Sequence, residues 1–572
     1  MYFNSRMAIA ALLLTTTALT SAPAGAQTVP SNPKPTCTVP ASTFKTWFDS
    51  GAVTLNGSVK PANSITFPNN PNCSFYQWSE QMFLWLTSPT ISRYGGSGRI
   101  FDSPVFYDVS PPDQNGKRNF IPHLPGGIFR NFAVRTPQVG PHGLPVMFSK
   151  TGQLLEVITP PQGPTGKPLL LDRQGNASEV ESLRMGSDAK PVFLDKEGKT
   201  IEHAVAPELR AAAAAKPTGP LTVRRLIING KPIFIDPAGN VVETEEGQAG
   251  GGDVLAAQNG SLVYYVSIVN DVYAYMRTGA VDGGITPTPT QFPTTQADLN
   301  KITAFAAAHG KTFPDPNALA IEIKSSWVEA AGLPNINGYI TMDATVPTFD
   351  KSNQAQWVPN GKKTVKLAMV GMHVVGSTAG HPEMIWATFE HVGNTPDGTY
   401  TYTNTSNTKI TIQQSAAGNW LFSASNSAGP FNASHMVYSD PNIDAIAPFK
   451  VSPSDTIRWK AWGAAFGVSP NPVDGSDTAS NTEIIAINNS VRGQLVGGDV
   501  RGGYIMTGST WTIGGAAPTA SNQVGTSRLA NSTMETYQQG SSNSVGGTNC
   551  FTCHTSNQVG VSHIYNSLNP LF

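Results

Sequence analysis

The chain has 572 residues, of which only 13% are charged, and its formal net charge is −1. This composition excludes long solvent-exposed helices, coiled coils and charged tails, and it offers no general attraction to nucleic acid or anionic membranes. Hydrophobic residues make up 39%, and Gly and Pro number 55 and 45, which excludes a disordered chain and predicts a folded protein rich in turns.

The first 26 residues have the three parts of a secretory signal peptide. Arg6 supplies positive charge, Met7 to Leu14 is an apolar run, and Ala24-Gly25-Ala26 is a small-residue cleavage site. The run is shorter than the ~20 residues that span a bilayer, and no later segment reaches that length, so we expect no membrane span. The sequence predicts a protein that is secreted or, in a bacterium, periplasmic, with cleavage after Ala26.

Residues 27–140 are predicted to form a region of helix and loops. From Cys73 to Leu86 the residues Phe75, Trp78, Met82 and Trp85 recur at helical spacing, which predicts an amphipathic helix with an aromatic core face. Cys37 and Cys73 lie in this region. In an oxidising compartment a disulfide between them is the expected state, and two unpaired thiols are the alternative.

Residues 141–250 contain an irregular repeat. Each copy has a short apolar run, an Asp-x-x-Gly turn and a second short run, which predicts β-hairpins. The clearest copies are Gly166–Gly175, Ala189–Gly198 and Gly230–Gly239. Their aspartates, Asp172, Asp195 and Asp236, are expected to bond the turn backbone. Calcium binding is the alternative, but each turn supplies only one carboxylate.

Residues 251–525 are predicted to form a β-rich core. Thr295 and Asp298 resemble a capping box that begins a helix ending at His309, before Gly310. Beyond this helix, short alternating runs separated by Gly, Asn and Pro are typical of strands in an antiparallel sandwich, among them Tyr400–Thr403, Lys409–Gln413 and Trp420–Ser423. We therefore predict a mainly β fold with a sandwich-like antiparallel core, irregular hairpin repeats, a few helices and a short carboxyl-terminal segment, 526–572.

Two strands of this core carry histidines. Lys363 to Val375 and Met384 to Val392 alternate as strands, joined by a predicted loop over 376–382. Alternation predicts that His373 shares a face with Val365, Leu367, Met369 and Val375. Pairing about the loop places His373 opposite residue 385, which separates it from His391 by about 20 Å at 3.3 Å per residue.

The motif that carries chemistry is Cys550-Phe551-Thr552-Cys553-His554, a C-x-x-C-H pentapeptide. Two thiols at this spacing can form thioethers with the two vinyl groups of haem, and the adjacent imidazole can bind the iron. Three other interpretations compete. A redox disulfide favours a βαβ context, a structural zinc site needs a fourth ligand such as His563 and usually a second C-x-x-C pair, and the motif can arise by coincidence.

Over these five residues the chain resembles c-type cytochromes. The resemblance implies one covalent haem c, attached at Cys550 and Cys553, with His554 as the proximal iron ligand. The carboxyl-terminal position of the motif is similar to that in cytochromes c-prime. However, no four-helix heptad pattern precedes it.

The distal iron ligand is left open by the sequence. Only 18 residues follow His554, so we expect no distal methionine far downstream, as in small soluble cytochromes c. The candidates are His563, Met534 in a predicted helix Leu529–Gln538, His391 or His373 from the fold, and an open position. We predict that the ligand comes from outside the haem segment, or that the position is open, rather than that His563 binds.

Two classes of function follow from these features. In the first, the chain is an exported monohaem redox protein that transfers electrons to a partner protein or oxidises a small molecule. In the second, the β scaffold binds a ligand or glycan and the haem segment is an appendage. Five tryptophans could stack on sugars, although core packing is expected for most: Trp386, Trp420, Trp459, Trp462 and Trp511.

Overall fold

A computed structural model describes residues 29–123, strands and turns between 146 and 242, and residues 254–463, 477–539 and 550–572. Short gaps within these ranges fall at 69–71, 97, 112, 114–115, 440–441, 447, 519–521, 527–530, 538 and 555–557. The predicted signal peptide lies outside the described residues.

The described helices are short and scattered along the chain. They are α1 Ala41–Trp47, α2 Asn72–Leu86, α3 Asp271–Val281, α4 Gln296–Ala308, α5 Asp477–Arg492 and α6 Cys550–Cys553. The predicted helix around Phe75 and Trp85 is α2, and its whole aromatic stripe is buried. The capping box of α4 is present, because Thr295 and Asp298 each accept the other's backbone N–H. Among the described residues, no helix has the length and apolar character needed to cross a membrane.

Strands dominate the described structure. They are β1 Phe106–Val109, β2 Phe120–Pro122, β3 Val146–Phe148, β4 Leu154–Ile158, β5 Leu169–Leu171, β6 Ala177–Glu179, β7 Ser182–Met185, β8 Pro191–Leu194, β9 Leu221–Ile228, β10 Lys231–Ile235, β11 Tyr264–Asn270, β12 Ile321–Glu329, β13 Thr341–Asp350, β14 Gln356–Thr378, β15 His381–His391, β16 Tyr400–Thr403, β17 Lys409–Ile412, β18 Met436–Ser439, β19 Asn442–Ala445, β20 Tyr504–Thr512 and β21 Gln523–Gly525.

A central antiparallel sheet organises the fold. Its main order is β2-β1-β11-β12-β14-β15-β20-β21, and β13 and β19 also pair with the long strand β14. One face packs against α2 and α5, where Phe83 stacks on Phe389 with ring centroids 4.3 Å apart. The opposite face packs against α3, α4 and the carboxyl-terminal segment, including Val561 and Tyr565. The predicted mainly β, antiparallel class is confirmed.

The predicted hairpin repeats are confirmed where the structure describes them. The first copy forms the antiparallel hairpin β5–β6. In the other two copies, the turns after β8 and β10 are closed by the antiparallel bridges Leu194–Thr200 and Ile235–Val241, and β8 and β10 also pair with the preceding strands β7 and β9. Asp195 Oδ1 accepts the N–H groups of Glu197 and Lys199 at 3.0 and 2.8 Å, and Asp236 accepts that of Asn240 at 2.8 Å. These two aspartates therefore bond the turn backbone, while Asp172 lies outside the described residues.

Cys37 and Cys73 form the predicted disulfide. Cys73 lies in the first turn of α2, and Cys37 is buried in the core beside it. The bond ties the amino-terminal part of the described chain to the helix that covers the central sheet.

The predicted register of the two histidine strands is wrong. Residues 376–378 and 381–382 continue the strands instead of forming a loop, so His373 pairs with Thr388 rather than with residue 385. The predicted face is also wrong in part. A β-bulge at Val370 places Met369 on the α2 side, whereas His373 and Val375 lie on the opposite side. One extra residue reverses the alternation of every side chain beyond it.

Three local predictions also differ from the structure. Helices α1, α3 and α5 are not among the predicted helices. The run Trp420–Ser423 forms bends rather than a strand, and residues 531–537 form turns rather than part of a helix. Helix α5 is rich in Asn, Thr and Ser, which have low helix propensity, so its sequence does not predict a helix. The helix is stabilised instead by tertiary packing, which buries Ile484 and Ile485.

Candidate functional site

The C-x-x-C-H motif forms a single helical turn at the carboxyl-terminal end of the chain. The turn spans Cys550–Cys553, and the N–H of His554 continues it by donating to the carbonyl of Cys550 at 3.0 Å. Phe551 is fully buried and meets Trp386 edge-to-face, which anchors the turn on β15. Cys550 and His554 are half-buried, and the side chain of Cys553 lies outside the described residues.

The His554 imidazole is held through one of its nitrogens. Nδ1 lies 2.8 Å from the carbonyl oxygen of Val561. Because a carbonyl only accepts, Nδ1 carries the proton and donates, which leaves the lone pair on Nε2. Burial, reinforced by the neighbouring His563, holds the pKa of His554 well below its usual range, so the ring is neutral. A neutral imidazole with Nδ1–H on a backbone carbonyl is the usual form of a metal-binding histidine.

Two aromatic rings pack on His554. Its ring centroid lies 4.3 Å from that of Trp386, with planes inclined by 45°, and 4.0 Å from that of His563, with planes inclined by 16°. The indole N–H of Trp386 donates to the carbonyl of Glu383 at 2.9 Å, which fixes the indole on the strand. The orientation of His554 is therefore restricted by packing as well as by its hydrogen bond.

A polar patch of the central sheet lies next to this cluster. Glu322 and Lys324 of β12 share the face of His373 and Trp386, because Lys324 pairs with His373. Glu322 Oε2 accepts the hydroxyl of Ser562 at 2.5 Å, and that hydroxyl also contacts the hydroxyl of Tyr273 at 2.7 Å. Burial raises the pKa of Glu322. These contacts dock the segment after the motif onto the sheet.

The structure brings some of the candidate distal ligands close to the motif. His563 stacks directly on His554. His373 lies on the same face of the sheet, where its Nε2 is 2.8 Å from Glu535 Oε1. Met534 precedes Glu535 in the chain and is buried. The turn that contains both residues is held on β15 by Asn531, whose side-chain amide donates to the hydroxyl of Thr388 at 2.9 Å.

His391 lies elsewhere. It is three residues beyond Thr388, so it alternates onto the opposite face, where its ring stacks on Tyr339 with centroids 3.8 Å apart. Nδ1 accepts the N–H of Gly393 at 3.1 Å. Burial lowers the pKa of His391 to about 3, so it is neutral. His391 forms part of the wall of a separate cavity of about 890 Å³.

The sequence does not reveal the contact between Trp386 and His554. It predicts core packing or sugar stacking for this tryptophan, and nothing in its local pattern distinguishes it from the other tryptophans. Within the described residues, no group of three His, Cys, Asp or Glu side chains is arranged to hold a metal ion. The donors at this site are instead two thiols and one imidazole within five residues.

No family model, curated protein or solved structure matches the chain. The function proposed for it therefore rests on its own residues.

Proposed function

We propose that this chain is an exported redox protein that resembles c-type cytochromes and carries one covalently attached haem c. The observation that supports this most directly is the combination of the C-x-x-C-H motif with the hydrogen bond from His554 Nδ1 to Val561. The motif supplies both attachment thiols, and the hydrogen bond leaves Nε2 available for iron. The signal-like amino terminus supports export, to the periplasm in a bacterium.

The roles of the residues follow from this arrangement. Cys550 and Cys553 would form the thioethers, and His554 would be the proximal ligand through Nε2. The Val561 carbonyl would keep the required tautomer, and Trp386 would restrict rotation of the ring. When bound, the haem supplies one-electron redox chemistry, whose potential the protein tunes through ligation, hydrogen bonding and burial.

The natural partner is a redox protein that exchanges electrons with the haem, or a small molecule that the haem oxidises. Trp386 is half-buried and its ring contacts His554, so an aromatic side chain that touches the proposed proximal ligand is partly exposed at the protein surface. Glycan binding by a tryptophan platform is the alternative. None of the five tryptophans considered for such a platform is exposed: Trp420, Trp462 and Trp511 are buried, and Trp386 and Trp459 are half-buried. This burial does not favour a sugar-binding platform at the surface.

Covalent haem is tested by expressing the full chain in a host with haem-attachment machinery. Denaturing electrophoresis with peroxidase staining should show haem at the protein's mass, and the stain should be lost in Cys550→Ala/Cys553→Ala. The matched control is Cys37→Ala/Cys73→Ala, which also lacks two cysteines and should keep the stain. An exported wild-type protein without stain would overturn the proposal.

A further inference from the structure

The cavity beside His391 has the size and composition of a small-molecule site. Its volume of about 890 Å³ falls within the 300–1,000 Å³ typical of ligand pockets. Its wall is mostly apolar and aromatic, and the side chains that matter here are Leu333, Tyr339, His391, Trp420, Leu421 and Arg492. It lies on the opposite side of the central sheet from His554, so it is distinct from the candidate haem site.

Arg492, at the end of α5, brings a cation to this apolar wall. Its Nε donates to the carbonyl of Gly502 at 3.0 Å, and its terminal nitrogens make no hydrogen bond or ion pair with the described residues. The carboxyl group that acts electrostatically on Arg492 is that of Glu80, and burial raises the pKa of Glu80 to about 8. Glu80 is therefore protonated at neutral pH and does not neutralise the guanidinium. Two parallel N–H groups of an arginine match the two oxygens of a carboxylate.

Trp420 supplies a second donor without a partner. The residue is 8% exposed, and its indole N–H is closed off from solvent and has no acceptor within the described part of the chain. A buried N–H without a partner is unfavourable, so an acceptor on a ligand would stabilise it.

The other residues that line the cavity favour an anionic ligand. None of the described residues in the wall is acidic, and His391 is neutral because burial lowers its pKa to about 3. The stacked pair Tyr339 and His391 forms a preassembled aromatic surface, with ring planes inclined by 21°. Such a surface favours a flat ring.

We propose that this cavity binds an aromatic carboxylate of one or two rings, with the carboxylate on Arg492, an acceptor near the Trp420 indole N–H, and the ring against Tyr339 and His391. The site does not depend on haem attachment and adds a binding function to the redox function proposed above.

The test is calorimetric titration of the full mature protein with three probes of one shape. Naphthalene-2-carboxylate should bind at one site per chain. The neutral 2-naphthylmethanol and the cationic 2-naphthylmethylammonium should bind at least about tenfold more weakly, since they lack the charge-assisted pair. Equal binding of the three probes to the wild-type protein, or no saturable binding of the carboxylate, would overturn the proposal.

Variants locate the site. Arg492→Met should weaken binding of the carboxylate by about tenfold or more. Arg492→Lys should weaken it less, because lysine keeps the positive charge but lacks the two parallel N–H groups. Trp420→Phe should weaken it by about three- to tenfold through loss of one donor. The matched control is Trp462→Phe, which removes another buried, unpartnered indole N–H outside the cavity and should leave affinity unchanged. Unchanged affinity in folded Arg492→Met would contradict the assignment. Retained binding in Cys550→Ala/Cys553→Ala would separate this site from the haem proposal.

Discussion

The imidazoles of His554 and His563 are stacked face to face, with ring centroids 4.0 Å apart and planes inclined by 16°. With metal–nitrogen bonds of about 2 Å, two imidazoles on opposite sides of one iron would have centroids about 6 Å apart. The stacked arrangement therefore makes His563 a neighbour of His554 within the same cluster and does not resemble a pair of opposed ligands.

We accordingly predict that His563→Ala does not open an iron coordination position. Carbon monoxide binding to the ferrous protein should be the same in wild type and His563→Ala, whether the distal ligand comes from elsewhere in the fold or the position is open. His309→Ala, in which a histidine at the end of α4 is removed, is the control. If carbon monoxide binds His563→Ala but not wild type, His563 is the distal ligand and the prediction is wrong.

The disulfide between Cys37 and Cys73 is predicted to stabilise the amino-terminal part of the fold. The bond closes a loop with a sequence separation of 36, for which the loop-entropy relation gives about 3–4 kcal/mol. Cys37→Ala/Cys73→Ala should unfold at lower urea concentration than wild type. Wild type in reductant should approach the variant, and coincident curves under all conditions would contradict the prediction.

Arg458 is the centre of a buried charge network. It is 1% exposed, with Nη1 3.0 Å from Glu390 Oε1 and Nε 2.5 Å from Asp397 Oδ1. Arg458→Met leaves two carboxyl groups buried without their cation, so we expect a loss of about 3–5 kcal/mol in the free energy of unfolding. The control Lys366→Met removes an exposed pair with Asp343 and should cost less than about 1 kcal/mol. Similar urea midpoints for the two variants would contradict this prediction.

Glu80 makes stability depend on pH. Burial raises its pKa from 4.5 to about 8, and the positive charge of Arg492 opposes this rise only in part. The unfolded chain loses this proton from about pH 4.5 upward while the folded protein keeps it, so the free energy of unfolding falls as pH rises from about 4.5 to 8. Glu80→Gln removes this contribution.

The measurement is the urea midpoint of wild type and Glu80→Gln from pH 4 to 9. The advantage of the variant over wild type should grow between pH 4.5 and 8 and then level off, reaching roughly 3–5 kcal/mol. An advantage that is constant across this range would show that Glu80 ionises as readily in the folded protein as in the unfolded chain.

The features that the sequence predicted well are those whose cause lies within a few residues. The aromatic stripe of α2, the Thr295–Asp298 capping box and the Asp195 turn each depend on spacing or on short-range hydrogen bonds. The C-x-x-C-H motif is also local, because its two cysteines and its histidine lie within five residues, and Cys550–Cys553 forms a single helical turn.

Tertiary structure decided the surroundings of these residues. The bulge at Val370 reversed the faces of β14, and the tight turn after Thr378 shifted the register. His373 therefore pairs with Thr388 and shares a face with Trp386, instead of lying opposite residue 385. Local alternation does not reveal an inserted residue or the end of a strand, since both depend on pairing with other strands.

The candidate haem site and the cavity beside His391 differ in how much of each can be predicted from the sequence alone. The sequence by itself determined the three residues that we propose to hold haem, because they lie within five positions of the chain. Only the folded chain placed Trp386 against His554, and only it joined Tyr339, His391, Trp420 and Arg492 around one cavity. These contacts join segments far apart in the sequence, and they form because the central sheet and α5 bury apolar surface together, which no local pattern records.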